Sequence, residues 1–139
     1  MNIKNIIAGG IAGGITLLIA MFVFGKIAGF IAPFDMATLG GMRAANDPVM
    51  AFFVLYPFVL AFAAAILFDM IKNSLNGTYL NKGLMFGFLL FIIETIPSIF
   101  IIFTTMTYPL GFYLSSFLTG IIAYPVIGII FVKIWKVYH

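Results

Sequence analysis

The chain has 139 residues, 64% of them apolar and only 8% charged, with a mean hydropathy of +1.23 and a net charge of +3. Those values exclude an ordinary soluble domain, and at roughly 20 residues per membrane crossing the length admits one helical bundle without a separate soluble domain. Cysteine is absent and the single histidine is His139, which excludes thiolate chemistry, disulfides and a haem held by two histidines within one chain.

Apolar runs long enough to cross a core of ~30 Å predict four transmembrane helices, over residues 5–25, 48–72, 82–106 and 109–133. Pro33, Asp47-Pro48, Asn76-Gly77 and Tyr108-Pro109 punctuate the connections. No strand-like alternation suggests a barrel. The expected fold is therefore all-α, a polytopic integral membrane four-helix bundle forming a single domain over residues 1–139.

The first run carries Gly9, Gly10, Gly13 and Gly14, two overlapping pairs of small residues four apart that allow close helix approach. No small-residue cleavage site precedes polar sequence, so the run reads as a retained helix rather than a signal peptide. Thr16 lies one residue from its centre.

The following connection, "KIAGFIAPFDMATLGGMRAAND", is too apolar for a solvated linker. The first helix is expected to continue to Ile31 and turn at Pro33, with a short interfacial segment over residues 36–45 across the bundle mouth. Arg43, paired with Asp35 or Asp47, is the candidate for fixing it. An ordinary surface ion pair would look the same in sequence.

In the second run Tyr56 precedes Pro57, and Asp69 lies one turn before Lys72, as expected of an ion pair at a helix end. Asn76-Gly77-Thr78 matches a glycosylation sequon but reads as a turn on the cytoplasmic side.

The third run contains the stretch "FIIETIPSIF", in which Glu94 stands at the predicted midplane. A carboxylate at that depth is costly and by default marks a functional site. Helical stepping places Glu94 with Gly83, Gly87 and Ser98 on one face, turned towards protein. Depth counting at 1.5 Å per residue surrounds it with the hydroxyls of Thr16, Tyr56, Thr119 and Tyr124. Every cation falls at or beyond a helix end, so Glu94 is expected to take up a proton or a cation. Pro97 and Pro125 cannot donate backbone hydrogen bonds, which frees the carbonyls of Ile93 and Ile121 near the same level. Broken-helix transporters use such ligands for cations. An interhelical hydrogen bond or a contact with a partner subunit is the structural alternative.

The fourth run shows two rows of small residues, Gly111-Ser115-Thr119-Ala123 and Ser116-Gly120-Tyr124-Gly128, which suit packing against two neighbours. Trp135 and Tyr138 beside the terminal lysines read as interfacial anchors.

Lys4, Lys72, Lys82, Lys133 and Lys136 fall on one side, against Lys26 and Arg43 on the other. This bias predicts both termini inside, in a cell membrane and, for a prokaryote, the inner membrane. Interfacial lysines account for the net charge without nucleic acid as a partner. The expected partners are the lipid bilayer and either further copies of the chain or another membrane protein, through the glycine-rich faces. No cofactor is expected.

The glycine-rich first helix, the outer "GMR" segment and the "KGLMFGF" start of the third helix resemble small uncharacterised four-helix membrane proteins of bacteria and archaea. That resemblance carries no activity. Small multidrug exporters also combine four helices with one membrane glutamate, but theirs is in the first helix, where this chain has Thr16. The sequence therefore supports a small proton- or cation-coupled transporter or channel using Glu94. The alternatives are a non-catalytic subunit or scaffold engaging a partner through glycine faces, and a lipid-modifying enzyme using Arg43, Asp47 and a bound metal.

Overall fold

The computed structural model describes residues 1–35 and 39–136. Part of the expected interfacial segment, as well as Tyr138 and His139, lies outside the described residues. Among the described residues, four helices are long and apolar enough to span a membrane: α1 (Ile3–Ile31), α2 (Pro48–Ser74), α3 (Tyr79–Thr105) and α4 (Leu110–Trp135). Large apolar side chains face outward along them, Phe30, Phe52, Phe100 and Phe103 each at least 66% exposed. Apolar surface on that scale is consistent with a helical membrane bundle rather than a water-facing one.

The helices extend beyond the predicted apolar runs because capping groups, not hydropathy, set their ends. The Asn2 side chain accepts a hydrogen bond from the Asn5 amide at 3.2 Å, so α1 begins at Ile3 and runs 29 residues without a break. It ends just before Pro33. Thr78 likewise accepts from the Asn81 amide at 3.3 Å and starts α3 at Tyr79. Lys82 consequently sits inside the helix rather than at its end, and only 2% of it is exposed.

Three helices depart from α geometry immediately before a proline. α2 opens with a 3-10 segment, Pro48–Leu55, and becomes α-helical at Tyr56, one residue ahead of Pro57. α3 contains a π segment, Phe91–Thr95, ahead of Ile96-Pro97; α4 contains another, Thr119–Ala123, ahead of Tyr124-Pro125. Proline removes a donor and its ring crowds the carbonyl four residues back. A wider turn relieves that crowding, and in α3 the Ile96 amide reaches back to the Phe91 carbonyl. Around Ile93 and Ile121, whose carbonyls the prolines are expected to free, the helix is thus widened.

Packing is tight at the end of the bundle where α1 starts and α4 ends. Phe68 of α2 meets the rings of Phe86, Phe131 and Trp135 at centroid distances of 5.0, 5.6 and 5.2 Å. Such edge-on pairs add about 0.5–1.5 kcal/mol each beyond the area they bury. α1 lies along α2, receiving the rings of Phe58 and Phe62 over Gly14 and Gly10, while Gly9 and Gly13 face Trp135 and Phe131 of α4. α3 and α4 approach backbone to backbone: a methyl group added at Gly87 would stand 2.3 Å from the Pro125 Cα.

Asp69 closes this end. Its carboxylate accepts from Trp135 Nε1 at 2.6 Å, from Lys72 Nζ at 2.8 Å and from the Asn2 amide at 3.2 Å. The expected pair with Lys72 is therefore part of a knot joining the start of α1, the end of α2 and the end of α4. Trp135, expected as an interfacial anchor, is instead 8% exposed with its indole in the core. A buried acceptor for its N–H lets the ring turn inward.

The opposite end is loose. No residue of Pro48–Leu55 in α2, or of Ile96–Thr105 in α3, is buried.

Candidate functional site

The loose packing leaves a cavity of about 660 Å³ that runs from the middle of the bundle towards the open end and is walled by all four helices. α1 contributes Leu17, Leu18, Met21 and Phe22, and the connection after it adds Phe34 and Met42. The remaining walls are chiefly apolar and aromatic. Polar groups gather at the inner floor, where Glu94 lies.

Glu94 occupies the π segment of α3, and hydroxyls from two other helices converge on it. Tyr56 of α2 donates to Oε1 at 3.2 Å. Tyr124 of α4 donates to Oε2 at 2.5 Å, and Thr95 donates to the same oxygen at 3.2 Å. Both tyrosines directly precede the prolines that end the irregular segments of their helices. The helix deformation and the placement of the tyrosines therefore arise at the same positions.

Tyr124 is 4% exposed and Tyr56 43% exposed, so the carboxyl group is anchored on its α4 side and more open towards α2. The two salt bridges described, Arg43–Asp47 and Lys72–Asp69, lie near the ends of the bundle. Among the described residues no three acidic or histidine side chains cluster as metal ligands. The chemistry on offer is one carboxyl group, hydroxyl donors already directed at it, and aromatic walls.

Of the other expected site residues, Ser98 and Thr119 line the cavity, with Thr119 8% exposed. Thr16 stands apart: its hydroxyl donates to the Ala12 carbonyl of its own helix at 2.8 Å. Matching depth placed it in the layer, but depth fixes only the height of a side chain and not its direction. Thr95 was not foreseen. Its neighbour Gly120, in the π segment of α4, comes so close that an added methyl group would meet the Thr95 hydroxyl. The two π segments therefore touch at the cavity floor.

At the open end Arg43 pairs with Asp47 at 3.1 Å. Asp47 also accepts from the Val49 amide at 2.9 Å, capping the first turn of α2. Asp35 lies just beyond α1. The small residues of α4 face two neighbours: Gly111 lies against Ala32 and Phe34, whereas Gly120 and Gly128 lie against α3.

Comparisons with known protein families, with curated proteins and with solved structures give no match to the chain.

Proposed function

We propose that the protein is a small integral membrane carrier in which Glu94 binds a proton or a cation at the middle of the bilayer. The observation that supports this reading is the Glu94 carboxyl group at the floor of a four-walled cavity, held by Tyr56 and Tyr124 from two different helices. An acid whose nearest polar partners are hydroxyls can exchange its proton for a cation without first breaking a salt bridge.

Lysine bias supports an orientation with both termini in the cytoplasm, of a prokaryotic cell for instance. In that orientation the cavity faces outward and the aromatic core with the Asp69 knot forms the inner closure. The bilayer is the first partner. A scaffold that engages another protein through glycine faces draws less support, because Gly9, Gly10, Gly13 and Gly14 already receive the rings or side chains of α2 and α4.

The experiment is reconstitution in liposomes with a pH-sensitive dye inside and an imposed cation or pH gradient. Flux should exceed that of empty liposomes and fall at least tenfold in Glu94→Gln. Flux unchanged by that substitution removes Glu94 from the mechanism and overturns the reading.

A further inference from the structure

Resting on the reading of Glu94 as a cation site, we infer that its ligand is a lipophilic organic cation, such as a quaternary ammonium or an amine carrying apolar groups, rather than a metal ion. Shape is the first argument. The cavity, at about 660 Å³, falls within the roughly 300–1,000 Å³ typical of sites for small organic molecules. A proton or a bare metal ion would leave nearly all of it empty.

Donor chemistry is the second argument. Hard cations such as calcium require about six to eight oxygen ligands packed around them. The three hydroxyls nearest Glu94 all donate to the carboxylate, and the walls above it are largely carbon. An organic cation spreads its charge over apolar groups and asks for less: one carboxylate for charge, and ring faces that attract the cation through their quadrupoles. Tyr56 and Tyr124 hold the acid, Phe53 stacks on Tyr56 at 6.3 Å, and Phe22, Phe34 and Phe112 line the same cavity.

Charge complementarity selects against other occupants. A neutral lipid chain would fit the walls but would bring no counter-charge to the carboxylate, and an anion would meet it head-on. The titratable groups facing Glu94 are Tyr56 from α2 and Tyr124 from α4, while α1 presents only apolar side chains to the cavity. The carboxylate is therefore the one acidic group that the described helices present to an organic cation in this cavity.

The test uses full-length protein in lipid nanodiscs, with empty nanodiscs as the partition control. Equilibrium binding of tetraphenylphosphonium is compared with that of tetraphenylborate, which has nearly the same shape and the opposite charge. The phosphonium should bind saturably, at least tenfold more tightly than the borate, and millimolar sodium should not displace it. Glu94→Gln should weaken binding at least tenfold. Ile102→Trp fills the cavity from a segment that contains no buried residue; it should have a similar effect while the protein remains folded by gel filtration.

Equal binding of the two ions, or phosphonium binding that ignores Ile102→Trp, overturns the inference. If phosphonium does not bind while Glu94-dependent proton flux persists, the ligand class is wrong and the carrier reading stands. Loss of both overturns both.

Discussion

Tyr56 and Tyr124 donate to different oxygens of one carboxyl group, Tyr56 to Oε1 and Tyr124 to Oε2 of Glu94, from two different helices. The two bonds differ in surroundings, since Tyr124 is buried and Tyr56 is half in the open. A single acid thus ties α2, α3 and α4 together at the cavity floor.

That difference separates the two phenylalanine variants. Tyr124→Phe removes a buried donor and should cost about 1–3 kcal/mol of stability. Tyr56→Phe should cost less than about 1 kcal/mol, because Tyr56 is half-exposed and water entering the cavity can replace its donor. Unfolding in mixed detergent, read by circular dichroism, measures both. Equal losses would mean that the carboxyl group is equally exposed on its two sides.

Asp69 has a structural task at the other end. Trp135→Phe should cost about 1–3 kcal/mol through the lost hydrogen bond, which leaves Asp69 with Lys72 and the Asn2 amide. Asp69→Ala should cost more, since it strands the buried indole N–H as well as releasing Lys72. The same unfolding assay applies; a milder effect for Asp69→Ala than for Trp135→Phe would show that the knot is dispensable.

The glycines rank by what stands opposite them. Gly87→Ala meets the Pro125 backbone, which cannot rotate away, and should destabilise by about 3 kcal/mol or prevent folding. Gly10→Ala meets the Phe62 ring, which can shift, so about 1–3 kcal/mol is expected. Gly29→Ala, with open space around it, should stabilise the helix by about 0.5–1 kcal/mol. Folded yield and thermal midpoint in detergent test the order, and a Gly87→Ala protein as stable as the parent would refute the close approach of α3 and α4.

At the open end, Arg43→Ala removes an ion pair whose arginine side chain is 58% exposed and should change stability by less than about 1 kcal/mol. Asp47→Ala also removes the cap on the first turn of α2 and should cost about 0.5–2 kcal/mol. Should Arg43→Ala prove the more harmful, the arginine would have a role beyond this pair.

Much of the architecture was legible in the sequence, because apolar runs, prolines and glycine spacing act locally. Four helices, the inward-facing Glu94 and the hydroxyls of Tyr56 and Tyr124 followed from depth and period alone. Thr16 was misplaced because period on one helix says nothing about how a neighbouring helix is rotated. Thr95 escaped because regular α spacing turns the residue after Glu94 to another face, whereas the π segment changes the local spacing. Trp135 was read from its position near a lysine, yet its acceptor, Asp69, lies 66 positions away in the chain.

The touching π segments have a mechanical consequence. Beyond them, Ile96–Thr105 of α3 extends ten residues to the open end with no buried side chain to hold it. It is a lever arm about 15 Å long whose fulcrum is the turn that carries Glu94. A tilt of only about 10° there would carry its tip about 2.6 Å, by simple geometry on that length. On the proposed reading, a ligand that enters or leaves the carboxyl group acts at the point where the smallest rearrangement moves the mouth of the cavity the farthest.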